Sequence, residues 1–318
     1  MRIWLRCCAA VLVLVLLLGV LGACSTPQND EEPGEQGYRK RILLVGDFHY
    51  IKDWYGIDMD ERMTRMVENI NEEHAQDPLE MIIFMGDYSL DYWKYDNTEP
   101  YVTYINSGVS HTRLFMEKYK DMLPDVPIFW LAGNHEQYSE EIWMEMTGNS
   151  RQGHRVIGDY LIVMWDSYGK NLDPGYHHDG SYTPIDTVWV RELMELYPDK
   201  KVILVSHYFY ANSEKTKSAD LIADDRVVAL FAGHLHNSDL QDLGADFGNK
   251  TLVFTGNYSY GDSDEDPGRT PWGYRDLVLE SNKVTSTYII PENTIVINNK
   301  NIKKGPTEKN VFEYYVSQ

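Results

Sequence analysis

The sequence predicts an α/β fold on three observations: short apolar runs recur from Arg41 onward, helical patterns fall between several of them, and a hairpin pattern closes the series. In order, Ile42 to Val45 reads as a buried strand because four consecutive apolar residues lead into a glycine. Met59 to Glu73 follows with helical spacing, then Met81 to Met85 as a second strand and Thr112 to Leu123 as a second helix. Pro127 to Leu131, the helical Ser139 to Met146, and Tyr160 to Trp165 repeat the alternation. The helical Val188 to Leu196 precedes the strands Val202 to Val205, Val227 to Ala232 and Leu252 to Thr255. Asp276 to Glu280 and Lys283 to Ile290, separated by Ser281-Asn282, form the expected antiparallel hairpin. The tail after Pro291, rich in Asn and Lys, carries no periodic signal, and there is no internal repeat.

With 318 residues, 43% of them hydrophobic, the chain can bury one sizeable core but not a second full domain. Forty-nine acidic against 29 basic side chains give a formal charge of −20, which repels nucleic acid and anionic membrane surfaces. Long polynucleotides are therefore not expected partners. A small phosphate ester is compatible with that charge if divalent cations in a cleft reverse the field locally.

The N-terminus has signal-peptide anatomy: Arg2 and Arg6, an uncharged apolar run from Ala9 to Ala23, then Cys24. The run is shorter than the ~20 residues a spanning helix needs. Leu21-Gly22-Ala23-Cys24 resembles the bacterial lipobox, in which the cysteine is lipidated and becomes the first mature residue. We expect residues 1–23 to be the signal and Cys24 the lipid anchor. The protein is thus expected outside the cytoplasm, bound to a bacterial membrane by that lipid alone. Cys7 and Cys8 leave with the signal, so the mature chain has no disulfide and no thiolate metal site. Residues 24–39 read as a flexible tether, 40–291 as the folded domain and 292–318 as a C-terminal extension.

Several predicted strands end in clusters of metal-ligand residue types. The first runs into Gly46-Asp47-Phe48-His49, where alternation along an extended segment would turn Asp47 and His49 to one side. The second ends in Gly86-Asp87, and an aspartate can bridge two cations with its two oxygens. The third ends in Gly133-Asn134-His135-Glu136, offering a neutral amide oxygen and an imidazole that can donate a proton. His207 follows the next strand, and Gly233-His234-Leu235-His236 the one after, with two imidazoles suited to a pair of adjacent metals.

This order of motifs, spanning Asp47 to His236, resembles the calcineurin-like metallophosphoesterase signature. The resemblance implies a four-layer α-β-β-α sandwich with two facing mixed β-sheets. It further implies that Asp47, His49 and His236 hold one divalent metal and that Asn134, His207 and His234 hold another, with Asp87 bridging. His135 matches the family histidine that assists the leaving group. A His, carboxylate and amide set suits Mn, Fe or Zn. The implied activity is hydrolysis of a phosphate monoester or diester by a hydroxide that the two metals activate. The alternative is a non-catalytic, surface-anchored protein that binds phosphate ligands on the same fold.

Departures from the family narrow the choice. Leu90 and Asp91 follow the Asp87 motif with no arginine beside it, which argues against a Ser/Thr protein phosphatase. Tyr208-Phe209-Tyr210 follows His207 without the proline common in relatives. Aromatics crowd the segments after the first two motifs: Tyr50, Trp54, Tyr55, Tyr88, Tyr92, Trp93 and Tyr95. Loop packing is the favoured reading of this group, with Tyr50, Tyr88 and Tyr208 kept as candidate substrate contacts. Asp166 is read as a strand-end turn residue and His177-His178-Asp179 as a solvated loop.

Overall fold

The computed structural model describes residues 37–50, 58–90, 92–93, 100–101, 110–169, 180–259, 272–291 and 311–316. The expected signal and Cys24 lie outside the described residues, as do Trp54, Tyr55, Asp91, Tyr95 and the His177-His178-Asp179 loop. In chain order the first strands are β1 (Arg39–Val45), β2 (Met81–Phe84), β3 (Tyr92–Trp93), β4 (Pro100–Tyr101), β5 (Ile128–Trp130), β6 (Gly153–Ile157) and β7 (Tyr160–Met164). They continue with β8 (Lys201–Ser206), β9 (Val227–Ala232), β10 (Leu240–Asp242), β11 (Thr251–Phe254), β12 (Tyr274–Glu280), β13 (Lys283–Ile289) and β14 (Val311–Tyr315). The helices are α1 (Met59–Gln76), α2 (His111–Tyr119), α3 (Glu140–Thr147), α4 (Thr187–Leu196), α5 (Ala211–Lys217) and α6 (Ala219–Ile222).

Two six-stranded mixed sheets carry the fold, in the orders β14-β13-β12-β1-β2-β5 and β10-β11-β9-β8-β7-β6, with β3 and β4 as a separate short pair. Strand alternation splits each central strand between two apolar clusters. Ile42, Leu44, Ile83 and Met85 meet Ile162, Met164, Ile203, Val205 and Phe231 between the sheets. Leu43, Val45, Ile82 and Phe84 face outward to Met63, Met66, Val67 and Ile70 of α1 and to Phe115 of α2. On the other side Val163, Val202 and Leu204 face Val190, Leu193 and Met194 of α4 and Leu221 of α6. The layers are therefore helix, sheet, sheet, helix.

Local chemistry fixes the helix starts. Asp58 accepts the amides of Asp60 and Glu61 at the head of α1, Ser139 accepts that of Ile142 at α3, and Asp186 that of Trp189 at α4. The buried Arg41 ties β1 to its neighbours through Glu73 at 2.7 Å and Asp276 at 3.0 Å. Arg275, also buried, joins the two sheets: its Nε donates to the Phe254 carbonyl at 2.7 Å and its second terminal nitrogen to Ser238 at 2.8 Å.

Besides the short β3–β4 pair, three strands escaped the sequence pattern, and each is an edge of a six-stranded sheet: β6, β10 and β14. Edge strands bury little, so they lack the continuous apolar run by which central strands are read. Part of the 292–318 extension thus completes the first sheet, with only Phe312 of β14 buried.

Candidate metal centre

The parallel strands β1, β2, β5, β8 and β9 deliver their following residues to one end of the sandwich. There the backbone departs from extended geometry. Asp47, His49, Asp87, His234 and His236 all have positive φ, at 52°, 43°, 55°, 68° and 56°. For non-glycine residues that conformation costs on the order of 1 kcal/mol or more each, and such strain gathers at functional sites. The extended alternation expected for Asp47 and His49 is thus replaced by two left-handed residues. Between them Phe48 turns inward and is fully buried against Phe84, Tyr88 and Phe115.

Close backbone approach explains two of the glycines. A Cβ at Gly133 would lie 2.2 Å from Asp87 Oδ1, and one at Gly86 would lie 2.7 Å from both the Gly133 amide and His207 Nδ1. Any side chain at either position would push the site apart.

The side chains converge in two groups. In the first, His49 Nε2 lies 3.0 Å from His236 Nε2, and His236 Nε2 lies 3.4 Å from Asp47 Oδ1. In the second, Asn134 Oδ1 lies 3.1 Å from His207 Nε2 and 3.0 Å from His234 Nδ1, and the two imidazole nitrogens are 3.2 Å apart. Asp87 belongs to both: its Oδ1 is 3.3 Å from His207 Nε2 and its Oδ2 is 4.0 Å from His49 Nε2. Within each group of His and Asp ligand atoms, all lie within 4.8 Å of one another.

The surrounding hydrogen bonds decide which lone pairs face inward. His49 Nδ1 donates to the Ser89 carbonyl at 3.1 Å and His207 Nδ1 to the Met85 carbonyl at 2.8 Å. Because carbonyls only accept, both rings carry a proton on Nδ1 and turn Nε2 toward the cluster. Bare nitrogens, carboxylate oxygens and an amide oxygen pointed at one another repel unless a cation lies among them, so the donor set fits two metal ions.

The charges divide: His49, His234 and Asp87 favour open ligand atoms, whereas at His207 burial is outweighed by Asp87, which raises the pKa to about 9, so a cation at His207 Nε2 would displace a proton. Burial lowers the His49 pKa well below the ordinary value, and burial with the neighbouring His207 brings His234 down to about 3. Burial alone would raise Asp87, but His207 and His135 outweigh it and hold it well below the usual carboxylate range.

Three braces were not legible as such. Glu136, fully buried, accepts from the amides of Asp87 at 2.8 Å, Tyr88 at 3.1 Å and Gly133 at 2.8 Å. Arg62 donates to the carbonyls of His49 and Tyr258, both at 2.9 Å. Arg151 donates to the carbonyls of Glu136 at 2.8 Å and Tyr138 at 2.9 Å while paired with Asp166, so Asp166 closes a buried ion pair instead of serving only as a turn residue. A Glu beside a ligand motif was the sole sequence hint; the two arginines gave none.

The other nominated residues separate. His135 is buried beside His49, with ring centroids 5.7 Å apart. Tyr208 stands against His234 at 4.3 Å. Tyr88 is not a substrate contact: it is fully buried and its hydroxyl donates to the Leu131 carbonyl at 2.6 Å. Tyr50 packs on the α1–α2 side and its hydroxyl donates to Asp60 at 2.8 Å, which commits it to the helix layer.

Known proteins resemble this chain in sequence and in fold. A curated relative, a probable cyclic nucleotide phosphodiesterase of Pseudoalteromonas sp. (strain SM9913), is 23% identical over 223 residues, covering 64% of this chain and 74% of that protein. Among solved structures, a dimetal phosphatase from Danio rerio is 11% identical with a TM-score of 0.54, over 78% of this chain and 95% of that one. The inner-membrane-complex anchor GAP50 of Plasmodium is 11% identical with a TM-score of 0.52, over 88% and 90%. These two likenesses concern the fold. The family model for calcineurin-like phosphoesterases matches residues 40–238, which takes in every strand that leads into the two ligand groups. This chain is a phosphoesterase and belongs to the calcineurin-like phosphoesterase family.

Proposed function

We propose that the chain hydrolyses a small phosphate ester with two divalent cations, one held by Asp47, His49 and His236, the other by Asn134, His207 and His234, with Asp87 shared. The observation that carries this reading is the division of the Asp87 carboxylate, one oxygen toward each group. When bound, such a cation pair polarises phosphoryl oxygens and acidifies a coordinated water to near-neutral pKa. The protein's own part is to fix the lone pairs, through the Nδ1 hydrogen bonds of His49 and His207, so that little reorganisation accompanies the reaction. His135, beside His49, donates a proton to the departing oxygen. The named activity of the Pseudoalteromonas relative favours a diester over a monoester. The lipobox resemblance at Cys24 favours action outside the cytoplasm, on the surface of a bacterial membrane.

The test is to strip the purified chain of metal and assay it with Mn²⁺ or Zn²⁺ on nitrophenyl phosphate and bis-nitrophenyl phosphate, beside Asp87→Ala. Metal-dependent turnover that Asp87→Ala abolishes supports the reading. Two bound metals and stoichiometric ester capture without product would overturn it in favour of a phosphate-binding protein.

A further inference from the structure

The segment after His207 separates its three aromatic rings by alternation. Phe209 turns into the helix-side core and packs against Phe247 at 5.9 Å. Tyr208 and Tyr210 lie near-parallel, with ring planes 13° apart and centroids at 6.3 Å. Tyr208 touches the His234 ring at 4.3 Å, and Tyr210 is 44% exposed. The pair therefore runs from the ligand cluster outward to solvent.

Tyr182 backs both rings edge-on, at 5.5 Å from Tyr208 and 5.9 Å from Tyr210. Its own hydroxyl is committed to the buried Glu214 carboxylate, which also accepts the Ile185 amide at 3.1 Å. A buried acceptor thus anchors the ring against which the other two pack. Leu235, between the two histidines of the last motif, is 48% exposed and adds apolar surface at the same end. Packing accounts for Phe209 but not for a partly exposed tyrosine pair backed by a third ring beside the ligand cluster.

We propose that Tyr208 and Tyr210 form a stacking platform for a nucleobase carried by the phosphate ester, so that the preferred ligands are nucleoside phosphates. This deepens the hydrolase reading above and rests on it for where the phosphate binds. A base is a flat, neutral group whose π-face stacks on a phenol ring. Neutrality matters in a chain of formal charge −20, because the platform adds affinity without a cationic patch. Only one phosphate then needs the local cations, which a mononucleotide satisfies and a long polynucleotide does not.

Two titrations test the platform without relying on turnover. Calorimetry of the metal-loaded full chain with AMP and with ribose 5-phosphate reads the contribution of the base alone. We expect AMP to bind about tenfold more tightly, within the usual worth of one stacked base. The pair of changes Tyr208→Ala and Tyr210→Ala brings the affinity ratio close to one, and Tyr208→Phe with Tyr210→Phe keeps it. The single change Tyr210→Ala, at an exposed position, lowers the ratio even if the double variant folds poorly. A ratio near one in the native chain, or one retained by the alanine variants, overturns the platform. The hydrolase reading fails separately. Equal kcat/KM on nitrophenyl thymidine 5′-phosphate and methyl nitrophenyl phosphate sinks the platform and spares the hydrolase. No turnover of either, with the AMP preference intact, does the reverse.

Discussion

Glu136 Oε2 accepts the backbone amide of Asp87 at 2.8 Å, so the residue shared by both ligand groups is held by a carboxylate that belongs to neither. The same oxygen takes the Gly133 amide at 2.8 Å, which locks the β2 and β5 loops together one peptide away from Asn134. Burial and the charge of Asp87 push the Glu136 pKa up to about 8, while its amide donors favour the ionised form.

Glu136→Gln follows from that bond. An amide nitrogen in place of one oxygen faces backbone N–H groups it cannot accept, so the Asp87 loop shifts. Partners at this remove from a metal typically cost 10- to 100-fold in metal affinity. We expect a loss on the order of tenfold or more, read by titration with Mn²⁺ or Zn²⁺. Unaltered affinity would show that the loop is held elsewhere.

His135→Ala separates esters by their leaving groups. General acid assistance is worth about 10²- to 10⁴-fold, and it matters most where the departing alkoxide is a poor leaving group. Turnover of alkyl esters should therefore fall much further than turnover of nitrophenyl esters. An equal loss on both would assign His135 to positioning instead of proton donation.

Cys24→Ala addresses location. If the lipobox resemblance holds, the native chain sediments with membranes and takes up labelled fatty acid, whereas the variant does neither. Sedimentation of the variant with membranes, as for the native chain, would refute anchoring through Cys24.

Asp60 supplies a pH signature of stability. Its burial works against ionisation, but Lys118 at 2.6 Å and the hydroxyls of Tyr119 at 2.7 Å and Tyr50 at 2.8 Å outweigh that and lower its pKa. A depressed folded-state pKa contributes stability above the unfolded-state value, and that stability is lost as pH falls through the folded value. The side chain is 49% exposed, so solvent screening limits the contribution to below about 1 kcal/mol. Asp60→Asn should lower the urea midpoint at neutral pH, with the difference closing in strong acid. A difference independent of pH would point to packing rather than charge.

The α/β class, the central strands and the ligand-type residues were legible along the chain, because each of these leaves a local mark. A strand segment buried on both faces is an unbroken apolar run, as in β2 and β9 and in the Ile42–Val45 and Val202–Val205 stretches of β1 and β8, and a cation site draws on a few residue types. The tertiary structure decided what depends on residues far apart in the chain. Edge strands such as β14 exist only because a neighbour offers its backbone, so their own residues need not be apolar. The left-handed turns at Asp47, His49, His234 and His236 are held by packing and by braces such as Arg62, against the local preference of those residues. The same holds for the tyrosines. Tyr88 and Tyr208 directly follow Asp87 and His207 of the cluster, yet one is sealed in the core by the Leu131 carbonyl and the other stands on His234. Which way a side chain turns after a strand is set by what the opposing layer places there, and a single stretch of sequence does not contain that layer.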